Sequence, residues 1–317
     1  MARRPLSRWR TLLRGDKIWF HFRVATWAKL DNSRKALAIN AAVIAAVFAL
    51  SAAIAWGSGD FTGGLVARRI GAFHAVLISY TVGLFALTAV ALARSERLPP
   101  ASDLMWGALA GLFGMLGLAC LMRGFAIGRM GIVSPVSAVL ATAIPVIFTA
   151  FKQGLPREMQ LVGFGLALVS IWLLSRPERL GGRPAGLAMA LLAGLGFGGF
   201  FTAIGQVGAS AVFWPLVAGR LAACVLMVIF ALFTRRPLLP PQFSLKLPAL
   251  SGILDVSGNL LFLLAIQSGR LDVTAVLGSL YPALTAMLAW IISREPMARV
   301  QMIGLAVAIL AIALITL

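Results

Sequence analysis

Apolar residues gather into ten stretches of roughly 17–23 positions, near 38–57, 72–93, 104–126, 131–151, 159–175, 184–205, 211–233, 247–267, 273–292 and 299–317. Short connections carrying arginine, proline or glycine separate them. Each stretch is long enough for a helix to cross a hydrocarbon core of about 30 Å. Helices are expected throughout, because backbone in lipid must satisfy its own hydrogen bonds. The short alternating segments of a membrane β-barrel are absent.

The ten stretches fall into two halves of one pattern, offset by 141 residues. Gly128-Arg129 returns as Gly269-Arg270, and Gly111 and Gly117 return as Gly252 and Gly258. Gln160-x-x-Gly163-x-x-x-Ala167 returns as Gln301-x-x-Gly304-x-x-x-Ala308. Five spans is an odd number, so a second half of five enters the membrane from the opposite side. The expected fold is an all-α membrane protein, with ten transmembrane helices as two inverted five-helix repeats over 36–176 and 177–317. Secondary transporters recurrently have this architecture, with the solute site near the midplane between the halves.

Composition strengthens the membrane assignment. The chain is 60% hydrophobic, with 10 acidic residues in 317 and a mean hydropathy of +0.95. Soluble domains lie far below this. Cys120 and Cys224 both fall inside apolar stretches, and the only histidines are His21 and His74. No disulfide framework, metal site or cofactor is expected. Gly194-x-Gly196-x-x-Gly199 matches a dinucleotide fingerprint in form only. It lies within an apolar span and follows no strand, so close helix packing explains it better. Gly107-x-x-x-Gly111 reads the same way.

Of the net charge of +18, residues 1–35 hold ten Lys/Arg against Asp16 and Asp31. Anionic lipid headgroups suit such a tail better than nucleic acid does. Trp19, Phe20, Phe22 and Trp27 interleave with Lys17, Arg23 and Lys29, as in a helix lying on the bilayer surface. A disordered tail or an over-extended start are the alternatives. The connections alone place five Lys/Arg on the side of the tail and twelve on the other. Counting the whole tail reverses the balance to fifteen against twelve. The expected topology has both termini in the cytoplasm.

From Leu254 onward the chain resembles the second half of bacterial drug/metabolite transporters of the EamA family. Leu254-Asp255, Asn259, Ser279-Leu280-Tyr281-Pro282, Glu295 and Gln301-x-x-Gly304 carry the likeness. In the first half, Trp56-Gly57-Ser58-Gly59-Asp60-Phe61-Thr62-Gly63-Gly64 resembles that family's first-span ending. Gly131 to Pro135, with Pro145, resembles its fourth span. Trp214-Pro215 followed by Arg220 resembles its seventh. The likeness covers roughly 38–317. One position departs: the family often places a Glu six residues before the Gln of each half, and Gly154 stands there in the first half. The resemblance implies a multi-pass protein of the inner (plasma) membrane that moves a small-molecule solute, as a monomer or homodimer. It also implies a cavity walled by spans one, three, four, six, eight and nine.

Arg220 and Asp255 are the deepest ionisable residues. Counted from the loop joining spans seven and eight, they lie roughly 13 and 8 residues deep, a difference of about 7 Å. A long arginine side chain covers that distance, and an unpaired charge at the bilayer centre costs at least about 2.5–3.5 kcal/mol. A structural ion pair and a solute or proton role both fit, with Asp255 the candidate proton carrier. Asn259 follows Asp255 by four residues and shares its helix face, facing a cavity or a tight packing surface. Trp56 is expected to touch the cavity and Asp60, closing span one, to sit at its mouth, either as a helix-end or interfacial carboxylate or as a gate or proton acceptor. Arg123 reads as an interfacial arginine or an anion contact. Gln267 and Tyr281 are polar handles at span ends. Pro135, Pro145 and Pro282 can kink the helices that contain them.

No nucleophile–base set, acid pair or nucleotide-binding loop is recognisable, so no catalytic residues are expected. A transporter is the favoured class. An intramembrane enzyme on a lipid-linked substrate and a non-transporting scaffold are the alternatives.

Overall fold

The computed structural model describes residues 43–153, 158–174, 185–208, 212–240, 244–268, 277–278 and 280–316. The basic tail, Gly154, Gly269-Arg270 and Ser279 lie outside them. Residues 45–317 form one compact unit. Its helices are α1 (Val43–Ile70), α2 (Ala72–Ala93), α3 (Ala101–Ile127), α4 (Met130–Gln153), α5 (Glu158–Leu174), α6 (Leu187–Ile204), α7 (Phe213–Thr234), α8 (Lys246–Ser268), α9 (Tyr281–Ile291) and α10 (Arg299–Thr316). No strand occurs among the described residues. By length and composition α1, α2, α3, α6, α7 and α8 can each cross a membrane. The apolar parts of the other four are shorter: Met130–Pro145, Glu158–Leu173, Tyr281–Ile291 and Arg299–Leu314.

The first helix differs from its sequence expectation. The expected span ends near residue 57 and is closed by Asp60, among Gly57, Gly59, Gly63 and Gly64. The helix instead runs on to Ile70. Those glycines are contact points. A Cβ at Gly57 would stand 2.8 Å from the Tyr281 carbonyl oxygen, and one at Gly59 would stand 3.3 Å from the Asp255 nitrogen. Hydroxyls from the neighbouring helices use the same openings. Ser251 Oγ donates to the Gly59 carbonyl at 3.1 Å, and Thr285 Oγ1 to that of Gly57 at 3.2 Å. Small residues that let backbones approach are how helices associate where lipid is as apolar as the helix surface.

The same logic sorts the rest of the surface. The first half of α1 buries Ala45, Ala49, Ala52 and Ala53, whereas Phe85, Met105, Leu168 and Phe233 stand well exposed. Large apolar side chains turned outward suit a lipid surround. In α4, Pro135 and Pro145 lie inside the helix. Pro282 sits in the first turn of α9, where a missing N–H leaves no hydrogen bond unmade.

Helix α3 packs on α6 and α7, α4 on α6, α9 and α10, α2 on α7 and α8, and α5 on α10. Glycine contacts follow the 141-residue offset. Gly111 of α3 meets Gly219 of α7, and Gly252 of α8 meets Ser79 of α2. Gly117 of α3 meets Ala193 and Phe197 of α6, and Gly258 of α8 meets Trp56 of α1. Two loop contacts repeat the relation. Trp214 Nε1 donates to the Glu96 carbonyl at 2.8 Å, and His74 Nε2 lies 2.9 Å from the carbonyl of Pro237, which is 141 residues beyond Glu96.

Candidate functional site

A cavity opens among α1, α2, α3, α6, α7, α8 and α9. Its charged centre is an ion pair: Arg220 Nη2 donates to Asp255 Oδ2. Arg220 is only 6% exposed. Its guanidinium lies over the Tyr80 ring, 4.1 Å from the centroid. A Cβ at Gly83 of α2 would stand in ordinary contact with the guanidinium, 3.5 Å from Arg220 Cζ, and too close to Val256 Cγ2 of α8, at 2.6 Å. A cation over an aromatic face gains from the ring quadrupole, more so away from water. Arg220 Nη1 is buried and has no hydrogen-bond partner.

Beside the pair, Trp56 Nε1 of α1 donates to Asn259 Oδ1 of α8 at 3.1 Å. The Trp56 ring also packs on Phe262 and, edge-on, on Tyr281, at centroid distances of 5.2 and 6.0 Å. Asp60 is one turn beyond Trp56 and also lines the cavity. It lies ten residues before the end of α1, or about 15 Å along the axis. It is therefore well inside the helix bundle, not at a mouth beyond the helix end. Phe197, Phe200 and Phe201 of α6 supply an aromatic wall. Gly107, Gly111 and Gly114 of α3 supply a small-residue one.

Six of the residues singled out in the sequence thus meet here: Trp56, Asp60, Arg220, Asp255, Asn259 and Tyr281. Arg123 is exposed on α3 and does not line the cavity. The side chain of Gln267 lies outside the described residues. The wall takes residues from α2 and α7 and none from α4. Tyr80 escaped the sequence reading although it is one of only two tyrosines in the chain. That scarcity was a usable signal.

A second polar cluster lies at one end of the bundle. Arg68 of α1 donates through Nε to the Phe125 carbonyl at 2.8 Å and through Nη2 to that of Gly128 at 3.1 Å. Nη2 also meets Glu295 Oε1, 2.5 Å away in the loop between α9 and α10. Arg129 donates to the Pro296 carbonyl at 3.0 Å. At the opposite ends of the helices, Glu96 caps α7 by accepting from the backbone N–H groups of Val212, Phe213 and Trp214 at 2.8–3.2 Å. Carboxylates suit helix N-termini, whose first N–H groups lack partners within the helix. The cavity residues of α3, α6 and α7 lie in the parts of those helices remote from Arg68.

No group of three or more His, Cys, Asp or Glu that could hold a metal exists among the described residues. The arrangement offers charge pairing, one further carboxylate, a donor and aromatic faces.

Many apolar helices around a small charged cavity, assembled from both halves of the sequence, define a multi-pass membrane protein of the carrier type. The chain belongs to the EamA-like transporter family, whose model matches residues 43–176 and again 184–317. It is similar to the "Uncharacterized inner membrane transporter YedA" of Escherichia coli (strain K12), 27% identical over 248 residues, 73% of this chain and 77% of that one. The same relative from Escherichia coli O157:H7 matches equally. A protein of known crystal structure shares the fold, with a TM-score of 0.57 at 20% identity over 85% of this chain and 95% of its own.

Proposed function

We propose that this protein is a secondary transporter of the bacterial inner membrane. It moves a small metabolite or drug-like solute by alternating access, and a protonatable carboxylate in the cavity couples the flux to a proton gradient. The observation that carries the reading is the cavity itself: it gathers Trp56 and Asp60 from the first half and Arg220, Asp255 and Asn259 from the second. Charges so deep in a membrane protein are costly and mark solute or ion pathways by default.

We further propose ten spans in two inverted repeats, with both termini cytoplasmic. What supports the repeat is the 141-residue correspondence of helix contacts, with α3–α7 answered by α8–α2 and α3–α6 by α8–α1. Such swapping is what a two-fold axis in the membrane plane produces. Impermeant cysteine labelling of the two ends in intact cells tests the orientation; labelling of either end reverses it.

The function is tested with purified protein in proteoliposomes. Solutes that raise the melting temperature in a ligand screen are carried into flux assays with and without an imposed pH gradient. Flux that follows the gradient supports the coupled reading. Equal flux in both conditions leaves a passive facilitator, and no flux of any stabilising solute removes transport.

A further inference from the structure

Arg220, Asp255 and Asp60 face one cavity, and one guanidinium cannot neutralise two carboxylates. Arg220 is committed. Its Nη2 bonds Asp255, its face is covered by Tyr80, and 94% of the residue is buried. Asp255 is therefore engaged by a partner that cannot lose its proton. Asp60, by contrast, has no hydrogen bond or ion pair among the described residues. It is partly exposed to the cavity and about 15 Å from the end of its helix.

We propose that Asp60 is the carboxylate on which this cavity carries its coupling proton, and that Asp255 is a fixed counter-charge that positions Arg220. The assignment rests on the transport reading above and chooses Asp60 on α1 over Asp255, the other carboxylate that the sequence offered.

The surroundings of Asp60 favour this division. The charged and titratable groups facing it are Asp255 from α8, Arg220 from α7, Tyr80 from α2 and Tyr281 from α9. From α3 and α6 the cavity receives glycines, Leu118, Ile204 and phenylalanines, and no charge. With Asp60 ionised, the three groups sum to one excess negative charge. With Asp60 protonated they sum to zero. The carboxylate takes one proton from water on the side to which the cavity opens and returns it to water on the other side. Nothing else is consumed, and the Arg220–Asp255 pair stays ionised throughout.

A conformational consequence is built into the same place. Gly59, next to Asp60, packs on Leu254 and Asp255, and its carbonyl accepts from Ser251. The repulsion between the two carboxylates therefore acts across the α1–α8 contact. Protonating Asp60 removes it and lets these helices close. Trp56 and Asn259 join the same two helices one turn away, so the state of the carboxylate is felt at the solute wall.

The test uses the full chain in lipid vesicles and the apolar carbodiimide dicyclohexylcarbodiimide, which adds to protonated carboxyl groups. Modified peptides are mapped by mass spectrometry across a range of pH. The label is expected on Asp60, falling as pH rises, with Asp255 unmodified. It is lost in Asp60→Asn and retained at the same position in Asp60→Glu. Because the mapping is done on the unaltered protein, poor folding of a variant does not obscure it. Label on Asp255 in place of Asp60, or on neither, overturns the assignment while leaving the transport reading untouched. Flux indifferent to an imposed pH gradient removes the coupled reading whichever carboxylate reacts.

Discussion

Arg68 on α1 and Glu295 in the α9–α10 loop meet at 2.5 Å, joining the two sequence halves at one end of the bundle. Glu295 Oε2 has no partner of its own, so this single contact carries the pairing of that carboxylate. Arg68→Ala leaves a largely buried charge unpaired. Thermal unfolding in detergent should show each single variant destabilised, and Arg68→Ala with Glu295→Ala by less than the sum. The expected coupling is at least about 1 kcal/mol. Additive losses would mean that the contact contributes nothing in solution.

The Arg220–Asp255 pair predicts a larger non-additivity. Breaking a buried pair from one side costs about 3–5 kcal/mol, because the other charge is stranded. Arg220→Met should therefore melt well below the parent protein. Arg220→Met combined with Asp255→Leu should recover part of the loss. A double variant no more stable than the worse single one would show that the pair is not the source of the penalty.

Glycines separate packing from propensity. Gly111 faces the backbone of Gly219 with no room for a side chain, whereas a Cβ at Gly165 on α5 meets nothing within 4 Å. Gly111→Leu should abolish or severely reduce folded yield. Gly165→Ala should be neutral or stabilising by up to about 1 kcal/mol, since alanine is the better helix former. Size-exclusion profiles and melting curves of the two variants check this, and equal behaviour would refute the close α3–α7 contact.

Glu96 tests the remote cap. It satisfies three backbone N–H groups at the start of α7, and its loss should cost about 1–3 kcal/mol. Glu96→Gln keeps one acceptor oxygen and should retain part of that stability, while Glu96→Ala should retain none. Melting temperatures of the two variants decide it.

Much of this was legible in the chain. Apolar length located the helices, and mid-span depth paired Arg220 with Asp255 before any coordinates. The limits have physical causes. Asp60 read as closing its span because the apolar stretch ends near residue 57; only a neighbour's backbone reveals that the glycines beside it are contact points along a longer helix. Arg68, in the last turn of α1, and Glu295, in a loop, sit 227 residues apart, so nothing in the sequence joins them. Tyr80 and α2 entered the cavity wall because the tyrosine ring lies under the guanidinium of Arg220, a fact of packing.

The sequence encodes no copy of the clasp between Arg68 and Glu295. Across the 141-residue offset, Ala209 stands where Arg68 would be answered and Gly154 where Glu295 would be. On the proposed two-fold frame the halves are held by this clasp at one end and by Glu96 on the start of α7 at the other, so the two faces are of unequal energy. Such inequality cannot choose the direction of net movement, which gradients alone decide. It can set how the two sides saturate. On the proposed alternating-access reading, the face reached with the clasp closed is the more populated one at rest, so half-saturation from that side should come at lower solute concentration, with the ratio of limiting velocities compensating. Unlike fastenings at the two ends would then give the proposed inverted frame a preferred front door.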